Sequence, residues 1–157
     1  MPRWAAILGA VTALAAIVFA SNPPATLWGA WIVKKDLRVP GIVGLSQKEI
    51  DQIVGTRILY SKSCAQSGQA VVRSPEYAST ILSEREFFDY AHASLKQLGI
   101  TGTTTTKVTL TGSREPPLRF VGNIVFLGGK LPVIEVEGVF FELQKAKSIA
   151  DNFDCTN

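Results

Sequence analysis

Two stretches of the chain repeat apolar residues at helical spacing, and both open with the same punctuation. Ser46-Gln47-Lys48-Glu49 has the form of a capping box, in which the serine hydroxyl and the glutamate carboxylate satisfy each other's backbone N–H. Leu45 and Ile50 can staple that start, Ile50, Ile53 and Val54 give a buried stripe, and Gly55 supplies a left-handed stop. Ser83-Glu84-Arg85-Glu86 repeats the device, with Leu82 and Phe87 as the staple pair. The period predicts a longer helix from there to Leu98, ended by Gly99. Phe87, Phe88, Ala91, Leu95 and Leu98 form its sheet-facing stripe, with Glu84, Arg85, Asp89 and Lys96 toward water.

Most of the remaining pattern has a period of two. Residues 103–110 alternate with β-branched side chains on both faces, and residues 118–127 are apolar enough for a central strand. Gly128-Gly129-Lys130 is a turn signal, and Glu137-Gly138 separates two further strands at 131–136 and 139–144. Earlier strands are predicted at 57–62 and 76–82, with a weaker one at 28–33. A helix followed by an antiparallel meander belongs to the α+β class. The expected architecture is a curved antiparallel sheet or incomplete barrel wrapped on one main helix, with a second short helix. A closed barrel is the alternative, disfavoured because a helix interrupts the early strands and few strands remain for closure.

The N-terminus changes where this domain is expected to work. Met1-Pro2-Arg3 is a short positive head, residues 4–20 are an unbroken apolar run, and Val18-Phe19-Ala20 ends it with a signal-peptidase pattern. The reading is a leader helix over 1–20, a linker over 21–27 and one α+β domain over 28–157, exported to the periplasm or the extracellular space. The alternative is an uncleaved anchor holding the domain outside the cytoplasm. The run is short for a span of roughly twenty residues, and Pro23-Pro24 blocks its extension.

Cys64 and Cys155 are too far apart for a zinc ribbon or a redox pair, and in an oxidising compartment they are expected to form one disulfide. The formal charge is +3, without an Arg-rich arm or aromatic-basic interleaving, which argues against nucleic acid as a partner.

Candidate chemistry is sparse. One histidine and two distant cysteines make no metal set, there is no nucleophile elbow or dinucleotide fingerprint, and Gly128-Gly129-Lys130 is not a phosphate loop. The reading therefore calls for no catalytic residue, no metal and no cofactor. Glu135, Glu137 and Glu142 flank the last hairpin; Glu135 and Glu137 share a face by alternation, and a solvated outer face accounts for them. Trp28 and Trp31, ahead of Lys34-Lys35, suit a membrane interface or a binding anchor, or else plug one end of the core. With Tyr90 and His92 on the main helix they make up the candidate binding residues, although a lone histidine there reads first as a half-buried structural side chain.

The functional expectation is an exported, non-catalytic binding module for a protein partner, an inhibitor target or a small apolar ligand. A membrane-tethered assembly or structural protein with its leader retained is the alternative. A small hydrolase is the third reading, which a cavity joining His92 to a carboxylate would strengthen. Mass spectrometry of the protein recovered from its host is expected to find Ser21 as the first residue. Recovery of an intact Met1 would overturn the cleaved, soluble form.

Overall fold

A computed structural model describes residues 24–40, 44–115, 118–147 and Cys155; the leader and residues 21–23 lie outside the described residues. Among the described residues ten strands form one antiparallel sheet: β1 (Gly29–Asp36), β2 (Arg57–Tyr60), β3 (Cys64–Ser67), β4 (Ala70–Arg73), β5 (Glu76–Ser83), β6 (Thr104–Thr111), β7 (Arg114–Glu115), β8 (Ile124–Leu127), β9 (Val133–Val136) and β10 (Val139–Lys145). Helix α1 (Gln47–Ile53) joins β1 to β2, and α2 (Glu84–Ala91) follows β5 directly. The order across the sheet is β5-β6-β8-β9-β10-β1-β2-β3-β4-β7.

The two ends of that order are tied to each other through the chain. Only Ser74-Pro75 separates β4 from β5, and only Gly112-Ser113 separates β6 from β7. β5 pairs with β6 from Glu76↔Thr111 to Ser83↔Thr104, and β4 pairs with β7 at Val71↔Glu115 and Val72↔Arg114. One bent ladder therefore serves both ends, and the sheet curls into a half-barrel, the incomplete form expected, whose ends are linked through β4 and β7 while β5 keeps one edge unpaired among the described residues. The corner is crowded. A β-carbon at Gly112, which has φ +142°, would come within 2.6 Å of Val72 Cγ1.

Alternation explains what fills the curl. Trp31, Val33, Ile58, Tyr60, Ala65, Val72, Tyr77, Val108, Leu110, Val125, Ile134, Phe141 and Leu143 belong to one contiguous buried cluster drawn from every strand but β7. Strands at opposite ends of the order can touch through one face only if that face is concave. Ile53 of α1 and Leu45 close one end. Phe120 and Val121 also belong to this cluster, and the Tyr60 hydroxyl donates to the Gly122 carbonyl at 2.7 Å. Gly122 has φ +96°, and a β-carbon there would strike that same hydroxyl.

The opposite parity makes a second cluster. Phe126, Val133 and Phe140 lie on the outer face and meet Phe87, Leu95, Leu98 and Ile100. The sheet therefore does not wrap the main helix as expected: α2 covers the convex side, and the sheet's own side chains fill the interior. The helix is also shorter than its periodicity predicts. It stops at Ala91, His92 takes a left-handed conformation (φ 51°), and Ser94 with Gln97 opens a new 3-10 turn (Leu95–Leu98) through its own capping box. That interruption rotates the stripe. Phe87, Leu95 and Leu98 are buried as expected and Ala91 half-buried, but Phe88 is 53% exposed.

Other differences are local. The apolar run 118–127 is a strand only at Ile124–Leu127, because Phe120 to Gly122 folds toward the interior. β3 and β4, absent from the sequence-based expectation, form a hairpin at Gly68-Gln69. The 3-10 turn Ala25–Leu27 already packs on the domain, with Leu27 fully buried inside the span expected to be linker. Both capping boxes at Ser46/Glu49 and Ser83/Glu86 are present, and the Ser83 hydrogen bonds hold the Glu86 carboxyl below its ordinary range.

Cys64 and Cys155 are disulfide-bonded with Cα atoms 5.7 Å apart, which ties Cys155 to β3 and points to an oxidising compartment. Among the described residues no helix is long and apolar enough to cross a membrane. The two adjacent phenylalanines of α2 provide a direct test of the packing. Phe87→Ala is expected to cost about 3–5 kcal/mol in urea melts, and Phe88→Ala no more than about 0.5 kcal/mol. Equal losses would place α2 wrongly on the sheet.

Candidate functional site

Glu135 stands on the outer face of β9, two residues before the tight turn that returns the chain into β10. The turn is made by Glu137 (φ 49°) and Gly138 (φ 82°), the paired positive φ values that two-residue hairpins use. It aims the Gly138 N–H back at Glu135 Oε1, at 2.9 Å. The other oxygen, Oε2, accepts the Tyr90 hydroxyl at 2.9 Å, so this carboxylate joins the hairpin to the last turn of α2.

Tyr90 is held on several sides. Lys107 Nζ lies 3.9 Å from its ring centroid, and the ring leans on Phe126 at 6.1 Å. Burial, and then the Glu135 charge beside it, push the phenol well above its ordinary range, which keeps it a donor. His92 follows as the left-handed cap. Its N–H donates to the Phe88 carbonyl at 2.8 Å, and its ring meets Phe88 edge-on at 6.4 Å. The segment after β1 completes the surroundings, anchored where the Leu37 N–H donates to the Phe140 carbonyl at 2.8 Å.

Between these elements lies a cleft of about 240 Å³, lined chiefly by Val39, Pro40, Tyr90, His92, Glu135 and Phe140. Its walls are aromatic and aliphatic, and its polar groups are one carboxylate, one phenol and one imidazole. No family model, curated protein or solved structure matches the chain.

The four candidate binding residues separate into two places. Tyr90 and His92 share the cleft, and His92 is exposed rather than half-buried. Trp31 is 5% exposed inside the barrel, its indole N–H donating to the Leu27 carbonyl at 2.9 Å and Lys145 Nζ lying 4.4 Å from its ring centroid. Trp28 is half-buried against Tyr77, with ring centroids 6.5 Å apart. Lys34 and Lys35 reach Glu142, at 3.0 and 4.0 Å.

Sequence reasoning missed the role of Glu135. Its alternation with Glu137 suggested a shared face, yet the turn sends Glu137 to Arg119, 2.7 Å away, and leaves Glu135 under Tyr90. Nothing local in the sequence links Glu135 to a helix 45 residues earlier. Among the described residues no group of three or more His, Cys, Asp or Glu is arranged to hold a metal ion.

The tyrosines supply a pH test. Burial raises the pKa of Tyr60 and Tyr77 above the ordinary value near 10, whereas Tyr90, the third tyrosine of the chain, is 41% exposed. A phenol that holds its proton more tightly when folded stabilises the fold fully below pH about 10 and loses that contribution as pH rises further. In alkaline titration Tyr60 and Tyr77 are expected to develop phenolate absorbance only together with unfolding. Three phenolates appearing near pH 10 in a still-folded protein would contradict this packing.

Proposed function

We propose that the protein is an exported, non-catalytic binding module whose cleft beneath Tyr90 and His92 receives a positively charged side chain of a protein partner. The observation that carries this reading is the carboxylate of Glu135 at an aromatic-walled cleft. A carboxylate has about four lone-pair sites. Tyr90 and Gly138 engage Glu135 once at each oxygen, which leaves acceptor capacity for an incoming cation. The volume of about 240 Å³ suits one side chain better than a drug-sized ligand, for which pockets run from roughly 300 to 1,000 Å³.

The helix that carries Tyr90 is itself acidic, although Lys107 Nζ already stands over the Tyr90 ring at 3.9 Å. α2 carries Glu84, Glu86 and Asp89 against Arg85 alone, although the whole chain is positive. Phe88 adds an exposed aromatic beside His92. An acidic, aromatic surface attracts Lys and Arg by charge and by cation–π contact.

A hydrolase is the second reading, because His92 and a carboxylate line one cleft. Against it, the lining of the cleft includes no serine, threonine or cysteine to serve as nucleophile.

Titration of isotope-labelled protein with Nα-acetyl-lysine amide, followed by NMR, tests the proposal against Nα-acetyl-leucine amide as control. The lysine compound is expected to shift the amides of Ala91, His92 and Gly138, and Glu135→Gln to weaken that binding about tenfold or more. Equal shifts with the leucine compound, or shifts confined to other parts of the barrel, would sink the cation-binding role.

A further inference from the structure

β5 has β6 on one side and no strand on the other among the described residues. The usual guards of such an edge are a central lysine, a proline or a bulge. Between Tyr77 and Ser83 there is none of these: the sequence is Tyr-Ala-Ser-Thr-Ile-Leu-Ser, and the register with β6 advances without a slip. Thr80 is exposed and Ile81 is 71% exposed, and no described residue pairs with this part of the edge.

The register identifies which backbone groups are free. The Leu110 N–H donates to the Asn123 carbonyl at 2.8 Å, so the even-numbered residues of β6 turn their N–H and C=O toward β8. Tyr77, Ser79, Ile81 and Ser83 stand opposite even-numbered residues of β6, and therefore present their own N–H and C=O at the open edge. Ser83 is already engaged, its N–H donating to Glu86 at 2.7 Å. Tyr77 is crowded by the β2–β3 loop, where its hydroxyl donates to the Ser61 carbonyl. Among the described residues, Ser79 and Ile81 remain as the free backbone pair on either side of Thr80, with the Ser79 side-chain oxygen itself buried.

We infer that this edge pairs with the same edge of a second copy of the chain, antiparallel and about a two-fold axis at Thr80. A two-fold perpendicular to the sheet must match odd-numbered residues with odd-numbered ones, and the free groups are on odd-numbered residues. Ser79 then exchanges two hydrogen bonds with Ile81 of the second copy, and Ile81 two with its Ser79, making four across the axis. Thr80 meets Thr80, a favourable cross-strand pair, and the like-charge opposition of this register, Glu76 against Glu84 of the second copy, falls outside the four-bond stretch.

Analytical ultracentrifugation of the protein as its host delivers it, over rising concentration, is the test. The wild-type mass is expected to double. Ser79→Pro removes an edge N–H that β6 does not use, and Ile81→Lys places a charge at the edge; each is expected to lower dimer affinity at least tenfold while the thermal melt of the dilute monomer stays unchanged. If one variant misfolds, the other decides. A wild-type monomer at every concentration overturns the inference, as does a dimer that persists in a folded variant. Capture of a strand from a different chain by a wild-type protein that stays monomeric alone also rejects the second copy as occupant.

Discussion

β8, β9 and β10 are apolar on both faces, and much of the structure answers that single constraint. Val125, Ile134 and Phe141 point one way, Phe126, Val133 and Phe140 the other. Curling the sheet hides the first set. The second set needs a separate cover, which α2 and the following 3-10 turn supply, with Phe87 edge-on to Phe126 at 5.1 Å and tilted on Phe140 at 6.2 Å. Burying one such ring is worth about 1.5–3 kcal/mol. A left-handed residue costs roughly 1–2 kcal/mol, so the helix can break at His92 and still leave its cover favourable. The cleft follows from that break: the chain leaves the sheet with Tyr90 over Glu135 and His92 at the rim.

The curl has its own cost at the corners. β4 and β5 cannot continue as one straight strand around the barrel, so Ser74 takes φ 48° and donates its N–H to the Ser63 carbonyl at 2.9 Å. On the partner strand Gly112 passes close to Val72. Below the corner β4 is flanked by β3 and β7. Above it β5 swings away from β3 and keeps only β6. The open edge is thus a geometrical result of closing the sheet at one end.

The sequence carried the elements better than their arrangement. Both capping boxes, the strand alternation of 103–110, found as β6, and the Glu137-Gly138 turn are local signals, and each holds in the structure. The Cys64–Cys155 pairing was legible from the cysteine count and the leader pattern. The helix end was misread although its signal was present: Ser94-Leu95-Lys96-Gln97 is a third capping box, hidden by an apolar period that continues through it. Phe88 was assigned to the core for the same reason. Tyr90 and His92 could be nominated from sequence, but their convergence with Glu135 could not, because a hairpin and a helix far apart in the chain meet only through the packing of Phe87 on the outer face.

Ser83 connects the two surfaces physically. Its hydroxyl accepts the Glu86 N–H to start α2, while the Glu86 carboxylate occupies the Ser83 N–H at the end of the open edge. The same pair of residues therefore fixes where the helix begins and where the unpaired strand stops. A pairing strand has no free donor beyond Ile81 on this side, which limits the edge to the short stretch around Thr80. The acidic helix begins immediately afterward, so the change from uncharged backbone to charged, aromatic surface occurs across one residue. An edge limited in this way can pair locally while α2 keeps its seat on the sheet, because the bonds that hold Phe87 in place lie on the other side of the capping box.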